Sequence, residues 1–217
     1  MSGPRVLLVS LGTTAGLRAS DEALAQMLET AGAQVQLVRT PATRSVRTLA
    51  LTDLAQARAA AGAAREALAG STPDAVIYST VTAALLAPVP GAIRLDTTAA
   101  ENRPGRHGLW QRPREARRLA QAPLLIPTDE HSLDPYPELR LRSLFVPSPV
   151  DSSGPPTPPA QRDIAAITSA ADPEKKGLER VLEAWARARR AGELHLRPGR
   201  LEHLRQRFVG GAQAGGR

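Results

Sequence analysis

Apolar residues in this chain fall into short runs punctuated by glycine and proline, with longer helix-spaced stretches between them. Residues 5–10 (RVLLVS) form an unbroken apolar run bounded by Pro4 and Gly12, the pattern of a parallel strand buried on both faces. Residues 11–18 (LGTTAGLR) read as a Gly/Thr loop. Ser20 then predicts a helix cap, with Asp21 and Glu22 in a first turn where negative charge suits the helix dipole. Leu24, Met27 and Leu28 supply an i, i+3, i+4 stripe, and Gly32 stops the helix. Residues 34–39 (QVQLVR) predict a second strand, which completes one βαβ unit. The alternation continues with an Ala-rich helix over 52–69, a strand over 75–79, a helical turn over 83–87 and a strand over 92–96. A helix opened by Pro113 runs to residue 120, and strands follow over 123–127 and 144–146. Strands alternating with helices predict a doubly wound, parallel α/β sheet.

Residues 151–161 (DSSGPPTPPAQ) contain five prolines or glycines, too stiff a composition to join a sheet, and predict a linker. Beyond it, residues 163–168 predict a strand, residues 169–177 a loop, and residues 178–190 an amphipathic helix with Leu178, Val181, Leu182 and Trp185 on one stripe. The expected organisation is a first α/β domain over 1–150, the linker over 151–161, the opening of a second α/β domain over 162–209, and a disordered Gly-rich tail over 210–217.

Composition narrows the chemistry. The chain of 217 residues has no cysteine, which removes disulfides, thiolate metal sites and cysteine nucleophiles. Aromatic residues make up 3%, so the core must be aliphatic. There is no apolar run long enough to span a bilayer and no signal-peptide pattern at the start, which predicts a cytoplasmic location with no transmembrane segment and leaves room for peripheral membrane contact. The net charge of +7 is concentrated: residues 187–217 carry eight arginines against two acids, while the first 186 residues are nearly neutral. Specific nucleic-acid binding is not expected, because the basic tail offers only Phe208 for stacking.

Three segments are candidates for chemistry. The first is the loop of Gly12, Thr13, Thr14 and Gly16, where glycines allow backbone to approach a ligand at the carboxyl end of a strand. It is neither a dinucleotide fingerprint nor a P-loop, and an ordinary strand–helix turn is the competing reading. The second is residues 94–111 (RLDTTAAENRPGRHGLWQ), read as an eighteen-residue polar loop that carries Asp96, Asn102, Arg103, Arg106, His107 and Trp110. Long loops inside compact domains are often functional, and Asp96 or His107 could act as general base toward a hydroxyl. The third is residues 172–177 (DPEKKG), where Lys176 precedes a helix start and could neutralise a phosphate. Neither the histidines nor the carboxylates have metal-ligand spacing, and no nucleophile elbow is present.

The order of these parts resembles a known family. "VPSPVD" (residues 146–151) followed by "ITSAADPEKKGLERVLEAW" (residues 167–185) resembles the domain junction of retaining GT-B glycosyltransferases of the glycogen-synthase-like, family 4 group. Residues 102–133 also resemble the acceptor-side loop and helix of such enzymes. The resemblance implies a Rossmann-like acceptor domain, a second domain that binds a nucleotide-diphosphate sugar, and transfer of the sugar to a hydroxyl acceptor in the cleft between them, with no further cofactor. It implies that Gly12, Thr13, Thr14 and Gly16 lie near the donor phosphates, that Lys176 contacts the diphosphate, and that Asp96, Asn102, Arg106 and His107 lie on the acceptor side. Two departures stand out: Ala170 or Ala171 replaces the family arginine ahead of the lysine, and the E-x7-E region of the donor domain is absent. The expectation is therefore a truncated or frameshifted reading frame with doubtful activity. A non-catalytic glycan- or partner-binding α/β module is the alternative.

Overall fold

The computed structural model describes residues 3–41, 43, 46, 48–103, 105–148 and 177–190. The chain divides into two units, Met1–Asp151 and Ser152–Arg217. Five strands form a wholly parallel sheet in the first unit: β1 (Arg5–Ser10), β2 (Gln34–Arg39), β3 (Ala75–Tyr78), β4 (Ala92–Leu95) and β5 (Leu125–Pro127). Their order is β2-β1-β3-β4-β5. From β1 the chain first steps outward to β2, then returns past β1 to β3. Because parallel crossovers keep one hand, that reversal sends the two connecting helices to opposite faces. Accordingly α1 (Ala15–Thr30) packs on the face presented by Val6 and Leu8. The helix α2 (Leu49–Gly70) packs on the face presented by Leu7 and Val9. The lobe is a doubly wound, Rossmann-like α/β fold.

Strand alternation divides the core between these faces. Leu7, Val9, Tyr78, Ile93, Leu95 and Leu125 meet α2, α3 (Val81–Ala84) and α5 (Gln111–Gln121). Val6, Leu8, Ile77 and Ile126 meet Leu24 and Ala25 of α1. The helix α2 buries Ala57, Ala60, Ala61 and Ala64, so its backbone lies close to the sheet without large side chains between. Tyr78 is the bulkiest fully buried residue, and its hydroxyl donates to the Val89 carbonyl at 2.9 Å. Gly91 is required beside it: a Cβ there would stand 2.6 Å from the Val76 carbonyl oxygen.

Several expectations need correction. The first helix starts at Ala15, five residues before Ser20, because Thr14 caps it by accepting from the Leu17 N–H. Gly16 is therefore helical and the loop shrinks to residues 11–14. Asp21 is no first-turn residue; it faces inward and is buried. Residues 94–111 are not one loop, since they contain the end of β4, α4 (Ala99–Asn102) and a 3-10 turn (Gly105–Gly108). The fifth helix starts at Gln111, with Pro113 still in the first turn, where its missing N–H has no intrahelical partner to lose. Residues 144–146 form no sheet strand, although the Leu144 and Val146 amides donate to Leu125 and Pro127 along the edge of β5. In the second unit only the tip of a turn and α6 (Leu178–Arg190) are described, the helix on the residues expected. The linker over 151–161, the strand over 163–168 and the tail over 210–217 lie outside the described residues, and of the expected second α/β domain only α6 and residue 177 are described.

Candidate functional site

The carboxyl edge of the sheet is built from threonine-capped helix starts. Thr14, Thr48 and Thr80 each accept a backbone N–H of the helix that follows, and Thr98 forms a capping box with Glu101. Gly12 opens the turn after β1 with φ +57, a left-handed conformation in which a side chain would be strained. The divergence of β1 and β3 puts the topological switch of the sheet at this edge, where ligands of open α/β sheets bind.

Two polar clusters lie under this edge, one on each face of the sheet. On the α1 face, Ser10, Ser79 and Arg94 replace the apolar residues of the strand ends, and all three are buried. Ser10 donates to the Asp21 carboxylate from α1. Arg94 pairs with Asp21 at 3.2 Å, and its other nitrogen donates to the hydroxyls of Ser20 and Ser148. Asp21 is 1% exposed and Arg94 5% exposed, so both charges are desolvated. Burial pushes the Asp21 carboxyl up, against the Ser10 bond and the Arg94 charge, and pulls the Arg94 guanidinium down, against the Asp21 charge. Ser79 Oγ has no hydrogen-bond partner among the described residues.

On the opposite face, Arg103 forms a bidentate pair with Asp53 of α2, at 2.8 and 3.2 Å. The Asp53 bond pushes the Arg103 guanidinium up. Arg112 donates to the Arg103 carbonyl and so braces the same segment from α5. Glu115 of α5 is buried and accepts the Ala99 N–H on both oxygens, at 2.7 and 2.9 Å. Burial is the main cause that raises its carboxyl to about 7, with the Ala99 and Ala100 amides and the Arg103 charge opposing and Glu101 adding to the rise. Burial and the Glu115 charge also push the Tyr136 phenol up.

Asp96 follows β4 directly and is exposed, with a carboxylate that makes no hydrogen bond to the described residues. Two residues beyond Arg94, it adds its charge to the field that favours that guanidinium. Its backbone is held firmly, because Ser132 donates to the Asp96 carbonyl at 2.8 Å. Thr13 is exposed in the turn after β1, beside Gly12 and the capping Thr14. Asn102 ends α4 and Arg106 lies in the 3-10 turn, both exposed. The backbone of His107 belongs to that turn, while its side chain, like Lys176 as a whole, lies outside the described residues. Asp96 and residues 12–14 thus share the carboxyl edge, whereas Gly16 is turned into α1. Sequence reasoning named Arg103 within the polar segment but missed its partner Asp53, and it missed Ser10, Asp21, Arg94 and Glu115 as members of a site. A charge inside the four-residue strand Ala92–Leu95 was the available signal for Arg94, since it must find a partner when its neighbours are buried.

A groove of about 210 Å³ lies at the other edge, among Arg5, Gln34, Gln36, Ser71, Thr72 and Pro73. Among the described residues no group of three or more His, Asp or Glu is placed to hold a metal ion, and no helix is long and apolar enough to cross a membrane.

No family model matches the chain, and no curated protein matches it. Among solved structures, CalG4, the calicheamicin glycosyltransferase, aligns with 18% identity and a TM-score of 0.34. The alignment covers 69% of this chain and 53% of that one, so the chain spans about half of that structure. The assignment of the fold rests on the order and direction of the five strands.

Proposed function

We propose that the chain is a glycosyltransferase of the two-domain, retaining GT-B type, and that its first unit is the acceptor side. The observation that carries this reading is the exposed Asp96 carboxylate at the end of β4, on the same sheet edge as the Gly12 turn, joined to the sequence resemblance over residues 146–151 and 167–185. In the reaction, an acceptor hydroxyl attacks the anomeric carbon of a nucleotide-diphosphate sugar from the face that the diphosphate leaves, so the configuration at that carbon is retained. The bond from that carbon to the phosphate oxygen breaks, and the diphosphate leaves with the electron pair. Asp96, with His107 as the second candidate, takes the hydroxyl proton. Asn102 and Arg106 bind acceptor oxygens. The amides of residues 12–14 stabilise the departing diphosphate, where fixed donors have their largest effect, and Lys176 is the diphosphate contact that the resemblance implies. No metal or other cofactor takes part in this scheme.

The test is incubation of the chain with a panel of nucleoside-diphosphate sugars and hydroxyl compounds, read by mass spectrometry. Transfer for at least one pair supports the reading. Asp96→Asn should lower the transfer rate by about 10²–10⁴-fold, the usual range for loss of a general base, while nucleotide-sugar binding persists. Transfer that survives Asp96→Asn unchanged removes Asp96 from the role. Binding of sugars with no nucleotide-sugar turnover would favour the glycan-binding alternative.

A further inference from the structure

Glu115 is buried on α5, and its carboxylate accepts the Ala99 N–H on both oxygens, with the neighbouring Ala100 amide also favouring the charged form. Ala99 opens α4 three residues after Asp96, so this contact ties the turn carrying Asp96 to a long helix of the core. One turn earlier on α5, Gln111 is also buried, and its Oε1 has no hydrogen-bond partner among the described residues. The i, i+4 spacing puts Gln111 and Glu115 on one helix face, the spacing at which helical side chains meet. An ionised carboxylate only accepts and can do nothing for Oε1, whereas a protonated one carries an O–H to donate.

We propose that Glu115 is a positioning residue with two bonded states: ionised, it grips the Ala99 amide and fixes the turn of residues 96–98; protonated, it donates to Gln111 Oε1 and its grip on the turn slackens. Charge-assisted bonds are roughly twice as strong as neutral ones, which is why the first state holds the turn more tightly. The proton is exchanged with solvent water and no other covalent bond changes. The groups facing Glu115 set the balance. Arg103, which follows α4, favours the ionised state, although Asp53 of α2 shares its charge. Glu101 of α4 favours the protonated state. Tyr136, with Arg112 of α5 and Glu138 of the 3-10 helix Pro137–Arg142 around it, lies on the remaining side. Burial brings the carboxyl to about 7, so both states are populated near neutral pH. The functional consequence, a pH-dependent placement of Asp96, rests on the acceptor-side reading above; the two bonded states do not.

The experiment follows the Ala99 amide by ¹H–¹⁵N NMR in the intact chain while pH is raised from about 5.5 to about 8.5, spanning the usual histidine and raised-carboxylate range. The wild-type resonance should titrate with a midpoint of about 7. In Glu115→Gln it should be flat. In Gln111→Met the midpoint should fall by about one unit, because the neutral acid loses its acceptor. An upward shift in Gln111→Met, the result expected from added apolar burial alone, would overturn the proposal. So would an Ala99 amide that does not titrate, or that titrates unchanged in Glu115→Gln. An intact titration in a chain that turns over no nucleotide sugar would sink the proposed activity and leave this device standing.

Discussion

Asp21 and Arg94 are both almost fully buried, and for each the cost of leaving water outweighs the attraction of the other. Such a pair adds little net stability, yet breaking it is expensive because one charge is left alone in the interior. Arg94→Met should therefore lower unfolding stability by about 3–5 kcal/mol in urea denaturation. Arg94→Met combined with Asp21→Leu should recover most of that loss, because no charge then remains. Glu115 makes stability depend on pH in a definite direction. Its folded carboxyl titrates at about 7, above the ordinary value of 4.5, so the folded state holds the proton more tightly than the unfolded chain. Its contribution is fully present below about pH 4.5 and disappears as pH rises through about 7. Over that window the loss should be on the order of 3 kcal/mol, and Glu115→Gln should flatten it in denaturation curves taken at several pH values.

At the scale of elements, α2 shows how a chain so poor in aromatics builds a core. Alanines at 57, 60, 61 and 64 let the helix approach Leu7 and Val9 closely, which leaves no space for larger side chains. Ala57→Leu should cost about 1–3 kcal/mol by overpacking, measured by the same denaturation. The strands β1 to β4 were legible to within a residue because each is a short, mainly apolar or alternating stretch between turn residues, a signal that depends on local sequence alone. Helix starts were less legible. Ser20 competes with Thr14 as a cap on residue type, and only the pairing of Ser20 with Arg94, across more than seventy residues, turns it inward. The same holds for residues 94–111. Their polarity reads as a loop, but Arg103, Thr98 and Glu115 use that polarity to bond α2, α4 and α5 together. Long-range pairing of this kind leaves no periodic trace.

For the molecule as a whole, the sheet order puts the Gly12 turn, Asp96 and the two buried polar clusters at one end, and a groove lined by Arg5, Gln34 and Ser71 at the other. The account requires the working face to be the first of these. Asp96 was legible as a site candidate because the acid that ends a strand is simple to place. The supporting Asp21, Arg94 and Glu115 were not, since their roles exist only once the helices are packed. The most direct test is ¹H–¹⁵N NMR mapping of the intact chain with a panel of nucleoside-diphosphate sugars. The account predicts that at least one of them shifts the amides of Gly12, Thr13 and Thr14 while those of Gln34, Ser71 and Thr72 stay unmoved. Shifts confined to Gln34, Ser71 and Thr72, or none with any nucleotide sugar, would contradict it.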